Sequence, residues 1–271
     1  MDQISSLFAG HVAGKLIDRI GASFRTHVIE RWSKRRAQVF FAQFCDEVAV
    51  ELSGAQSDSL EELLSEMLKD EACSELLFDS YRRVSLSRSK TLGPRVIGIL
   101  SAQLALERRD PTVPEEVMMD ACERLTDKEL LDFAAFIDEH RQRARNLDHE
   151  DDESSDMGRL ELEWAKEEID SNWNRDFDVS IAPLNLNECL GAWATKLRDL
   201  GILSDDVKER KWDYEEDSER HVDEPGSIRE ISWWIYISDA YLRFAELIDR
   251  VSPNRQTQRD HVTNAEPPTA P

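Results

Sequence analysis

The chain has 271 residues, 40% hydrophobic and 33% charged, with 34 basic against 56 acidic side chains and a net charge of −22. That length holds one large core or two smaller ones. So acidic a whole argues against nucleic acid as the main ligand, because phosphate binding needs a clustered positive footprint.

The charge is unevenly placed. Up to Cys45, seven basic residues (Lys15, Arg19, Arg25, Arg31, Lys34, Arg35, Arg36) meet three acids (Asp2, Asp18, Glu30), a balance of 7 − 3 = +4. The remainder carries 27 basic against 53 acidic residues. The two ends are therefore expected to meet different partners. Cys45, Cys73, Cys122 and Cys189 form no C-x-x-C pair. Each sits in an apolar stretch and reads as a small hydrophobe in a reducing cytoplasm, not as a disulfide or zinc ligand. The apolar start has neither the unbroken run nor the cleavage site of a signal peptide, and Lys15, Asp18 and Arg19 interrupt it as a membrane span.

Ile4, Phe8, Val12, Leu16, Ile20 and Phe24 recur every four residues and predict an amphipathic first helix, with Gly10 and Gly14 offering a close-approach stripe. A second helix is expected from about Arg25 to Leu52, ended by Ser53-Gly54. Ser59 with Glu62, Thr112 with Glu115, and Thr126 with Glu129 have capping-box spacing and mark three helix starts. Gly93-Pro94 opens Val96–Leu106, apolar almost all round and hence placed at the bundle centre.

Residues 146–157, NLDHEDDESSDM, hold six acids without apolar periodicity and read as an acidic linker. Beyond it, a helix is expected around Leu160–Ile169, and another from Glu188 to a cap at Gly201. A charged run, Val207–Tyr214, a turn holding Pro225-Gly226, and strict alternation in Ile231, Trp233, Ile235 and Ile237 predict a long hairpin. A last helix, Ala240–Val251, precedes a polar tail expected to be disordered.

The run Leu197-Arg-Asp-Leu-Gly201-Ile-Leu203, then a hairpin, then strand Ile231–Ile237 leading into helix Asp239–Ile248 resembles the second half of a winged-helix domain over residues 185–250. The resemblance implies that the helix before the Leu-Gly turn is a recognition helix and the hairpin a wing. The order of parts, with Ala121-Cys-Glu-Arg-Leu125-Thr-Asp-Lys-Glu-Leu130 in the acidic helical middle, is similar to bacterial abortive-infection proteins of the alpha family. That similarity implies a role in phage resistance and transfers no catalytic residue. Duplex DNA is a poor match for this winged helix. Glu188 and Asp199 offset Lys196 and Arg198, and Asp213, Glu215, Glu216, Asp217 and Glu219 line the wing.

Arg82, Arg83, Arg88, Lys90 and Arg95 form a basic cluster ahead of a helix start, a candidate anion or acidic-partner site; ion pairing with neighbouring helices is the plainer use. Ser87-Arg-Ser-Lys90 matches S-x-x-K without the S-D-N or K-T-G of a serine acyl-transferase. Glu209-Arg-Lys211 imitates a nuclease E-x-K without a suitable upstream aspartate. No H-x-x-x-H pair occurs among the six histidines. Trp234 and Tyr236 fall on the strand face opposite Trp233, which makes them the candidate protein interface.

The expected fold is mainly α. An all-helical bundle spans 1–145, the acidic linker 146–157, a small α+β winged-helix-like module 158–251, and the tail 252–271. The expected function is that of a non-enzymatic cytoplasmic binding or regulatory protein acting through protein–protein contacts, self-association included, with no cofactor or metal. One alternative is a peripheral effector at the inner membrane face. Its arm 4–36 lies on anionic lipid, using Phe8, Gly10, Gly14, Lys15, Arg19, Phe24, Arg31, Lys34, Arg35 and Arg36. A second is a DNA-binding regulator working through the winged-helix-like module.

Overall fold

The computed structural model describes residues 34–51, 67, 69–147, 159–171, 181–214 and 226–252. In chain order these form α1 (Lys34–Glu51), α2 (Glu71–Leu86), α3 (Leu92–Glu107), α4 (Val113–Arg124), α5 (Asp127–Leu147), β1 (Arg159–Asp170), α6 (Leu186–Cys189), α7 (Ala192–Asp199), β2 (Leu203–Tyr214), β3 (Gly226–Ser238) and α8 (Asp239–Val251). The protein is mostly helical, with one small three-stranded antiparallel sheet among the described residues. By its contacts the chain divides into two compact units, Met1–Ile137 with Arg243–Pro271, and Asp138–Leu242.

The first unit is built around α3. Its apolar residues from Leu92 to Ala105 are buried on nearly every side, as a helix without a polar face must be. The backbone of α1 comes close to α3 at Gly98, where an added Cβ would stand 2.8 Å from the Phe40 carbonyl oxygen. Phe40 and Phe44 of α1 are fully buried, their rings 6.3 Å apart. Both expected capping boxes in the described residues form. Glu115 accepts from the Thr112 N–H at 2.9 Å, and Glu129 from the Thr126 N–H at 2.8 Å. The Ser59–Glu62 box, the Ser53-Gly54 stop and the tail beyond Ser252 lie outside the described residues.

Helix α8 joins this unit from the far end of the chain. Phe244 packs 5.6 Å from Phe133, ring centre to ring centre. Arg250 forks onto the buried Glu47 carboxylate at 2.9 and 2.5 Å, and Arg95 donates to the Val251 carbonyl at 3.0 Å. The helix expected to close a contiguous module 158–251 therefore helps to complete the bundle instead.

In the second unit the sheet order is β1-β3-β2, with β3 antiparallel to both neighbours. The hairpin β2–β3 is as expected, but residues 160–169 form strand β1 and not a helix. Leu160 and Leu162 alternate with Glu161 and Glu163, pairing Ile237 and Ile235, until a bulge at Trp164 shifts the register and Ala165 pairs Trp233. The bulge breaks the period of two and leaves a helix-like spacing, while the glutamates favour a helix locally; pairing with the apolar β3 overrides both. The helix expected from Glu188 to Gly201 is also interrupted. Gly191 takes φ 99° between α6 and α7, a conformation that ends one helix and starts the next.

Candidate functional site

The basic cluster resolves into separate roles. Arg83 pairs with Asp120, Arg82 stands 3.9 Å from Asp79 at the surface, and Arg95 caps α8. Arg88 and Lys90 are exposed. The start of α3, expected to hold an external anion, already holds an internal one. The Asp127 carboxylate accepts from the backbone N–H groups of Leu92 at 3.0 Å, Thr91 at 3.2 Å and Lys90 at 3.3 Å, and from the Ser89 hydroxyl. Burial pushes this carboxyl up, but the hydrogen bonds together outweigh it and hold Asp127 below its usual range. The five cations are thus not gathered on a common ligand, and the helix start is filled from within.

Other flagged residues are also committed to structure. Ser87, the serine of S-x-x-K, is buried and donates to the Cys122 carbonyl at 2.8 Å. Glu209, of E-x-K, holds Arg229 at 2.7 Å. Burial pushes the Cys45 thiol up to about 12 and Cys122 upward as well, so both stay protonated. No group of side chains suited to a metal occurs among the described residues, and no helix there is long and apolar enough to cross a membrane. Of the amino-terminal arm, Phe8, Gly10, Gly14, Lys15, Arg19, Phe24 and Arg31 lie outside the described residues. Lys34, Arg35 and Arg36 open α1, where Arg36 reaches the Ser85 carbonyl at 3.4 Å.

Trp234 and Tyr236 do come together with charge. The alternation of β3 sends Ile231 and Trp233 to one side, where Ile169, Ile181 and Val207 pack on them and the Trp233 indole donates to the Ala182 carbonyl at 3.1 Å. The other side carries Trp234 and Tyr236, two positions apart, with rings nearly parallel at 11° and centres 6.4 Å apart. Lys208 of β2 places its ammonium 4.2 Å from the Trp234 ring centre and 5.5 Å from that of Tyr236. Arg159 of β1 lies 4.6 Å over Tyr236. A hydrogen bond with Tyr236 holds the Lys208 ammonium above its usual range. The Trp234 indole N–H is buried and has no acceptor among the described residues.

The register surrounds this stack with charge. Glu161 stands opposite Tyr236, while Glu163 and Asp206 flank Trp234 on β1 and β2. Sequence reasoning found the two aromatics but missed Arg159 and Lys208. They become visible only through pairing across strands that are far apart in the chain, one of which has helix-like spacing in the sequence. Comparison with protein-family profiles, with characterised proteins and with solved structures finds no match.

Proposed function

We propose that the chain is a non-enzymatic binding protein that contacts a protein partner through the Trp234–Tyr236 side of its three-stranded sheet. One observation carries the reading. Two stacked aromatics on one side of the sheet lie under a lysine and beside an arginine. Tryptophan, tyrosine and arginine are the residues enriched at interface centres, and Trp234, Tyr236 and Arg159 stand together here.

We read the second unit as winged-helix-like. A strand, a helix pair and a long hairpin in that order support this. The charges favour protein over duplex DNA as its partner. Arg198 of the would-be recognition helix lies 3.6 Å from Asp205, and Glu209 answers Arg229.

The test is quantitative capture from cell extract by the full chain and by two folded variants, Trp234→Ala and Leu131→Ser. The second variant alters an exposed apolar residue on α5. The expected result is a specific partner held by the wild type and by Leu131→Ser, and lost in Trp234→Ala. Equal capture by all three would overturn the proposal.

A further inference from the structure

Because β3 is the middle strand, β1 and β2 are the two edges of the sheet among the described residues. An edge strand presents a row of backbone N–H and C=O groups to which a further strand can pair, and a bulge or repelling charge usually blunts it. β1 is blunted in both ways. Its register breaks between Glu163 and Ala165, and its five acids against two bases repel a copy of itself.

β2 is not bulged. It stays in register with β3 from Leu203 to Tyr214, and Ser204, Asp206 and the run Lys208–Lys211 are exposed. The direction of its backbone groups can be read from Ser227 of β3, which stands opposite Asp213. Ser227 turns its bonds toward β1: its carbonyl accepts from the Ser171 N–H at 2.9 Å and its N–H donates to the Ser171 hydroxyl at 2.8 Å. Asp213 therefore points its own N–H and C=O at the open edge, and so does every second residue back to Leu203. Val207 belongs to that set, and its N–H donates to the neighbouring Asp206 carboxylate at 2.8 Å.

We infer that two copies of the chain pair through this edge, β2 against β2, antiparallel about a two-fold axis at Lys208. The order of charges on the strand is self-complementary. Asp205 and Asp206 precede Lys208, and Arg210 and Lys211 follow it at the same spacing. An antiparallel copy centred on Lys208 thus sets Asp206 opposite Arg210 and Asp205 opposite Lys211, each pair occurring twice. A two-fold axis between such strands stands perpendicular to the sheet, so the register moves only in steps of two. One step either way sets Asp205 against Glu209, or Glu209 against its own copy.

The Asp206–Arg210 pair specifies the contact. Across the sheet from Arg210 stands Glu230, which Lys166 already holds at 2.6 Å, leaving Arg210 without an acid among the described residues. Asp205, by contrast, has Arg198 at 3.6 Å. At the axis the two Lys208 side chains do not oppose each other. Each ammonium is drawn back over its own β3, 4.2 Å from the Trp234 ring centre. The dimer forms one continuous sheet with both Trp234–Tyr236 surfaces on the same side, because residues facing each other across the axis come from the same face. The edge contact does not depend on what that surface binds.

The experiment is sedimentation equilibrium of the full chain over a concentration series. The wild type is expected to dimerise with a Kd of about 1–100 μM, since one strand pair buries less than the standard interface of about 1,600 Å². Asp206→Arg and Arg210→Asp should each raise that Kd by about tenfold or more, because each turns two attractive pairs into two repulsive ones. The double variant carrying both changes should dimerise as the wild type does. A wild type that stays monomeric up to about 100 μM overturns the inference. So do single variants that dimerise unchanged, or a double variant that remains monomeric. Capture of another protein by the aromatic surface is read separately, so either proposal can fail without the other.

Discussion

The two units spend their charges differently. In the first, Glu47 and Glu115 are buried and answered by Arg250 and Arg109, while the half-buried Asp127 is answered by Ser89 and the backbone at the start of α3. In the second, Lys166 pairs with Glu230 and Arg159 with Glu161 along the strands, in pairs that are partly open to solvent. Charge that is buried and fully bonded fixes one arrangement of helices, because breaking a pair leaves an uncompensated ion. Charge on an open strand costs little to rearrange, so it remains free to meet a partner. The acidity of the chain therefore serves architecture in one region and surface in the other.

The sharpest break in this contrast is at the contact of α1 with α3. Gly98→Ala puts a methyl group 2.8 Å from the Phe40 carbonyl and 3.2 Å from the Phe44 nitrogen, both backbone atoms that cannot swing aside. A loss of about 3 kcal/mol is expected, read as a lower urea midpoint. Next is Arg250→Met, which leaves the Glu47 carboxylate, 1% exposed, with only the Gln103 amide at 3.2 Å. Removing one member of a buried pair costs about 3–5 kcal/mol, and the 39% exposure of Arg250 brings the expectation down to about 2–3. Lys166→Ala, made in parallel, should leave the urea midpoint where it was. A large drop there would erase the distinction between the units.

Acid should act through the same asymmetry, more gently. Hydrogen bonds from Arg109, working against burial, lower Glu115 from its ordinary 4.5 to about 2. A carboxyl whose folded value is depressed stabilises the protein fully above its unfolded value, and that stability drains as pH falls toward the folded one. Between pH 4.5 and 2, the wild type should lose about 2 kcal/mol more than Glu115→Gln, allowing for the partly exposed Arg109. Urea melts at stepped pH would show the two curves converging in acid.

Where structure is decided within a few residues, it was legible in the chain. The boxes at Thr112 and Thr126 need only a residue three positions on, and the burial of Val96–Leu106 follows from its composition. Ile231 to Ile237 carry their period of two plainly, and with it the side on which Trp234 and Tyr236 stand. What stayed hidden depends on distance. Trp164 occupies a bulge that only the partner strand reveals, Asp127 reaches back to Leu92, and Arg250 finds Glu47 across 203 positions. The candidate surface was half legible for the same reason: its aromatics lie on one strand, its cations on the other two.

Because the second unit is threaded between Ile137 and Arg243, the first cannot be finished until α8 has been made. During synthesis at about 5–20 residues per second, Glu47 waits roughly 10–40 s for Arg250 to leave the ribosome. Throughout that interval the nascent bundle holds the Glu47 carboxylate on the Gln103 amide alone, without its arginine, and Phe133 without the Phe244 ring. The order of manufacture thus makes the sheet complete before the bundle, and a chain truncated before α8 would emerge with its smaller part formed and its larger part open to chaperones.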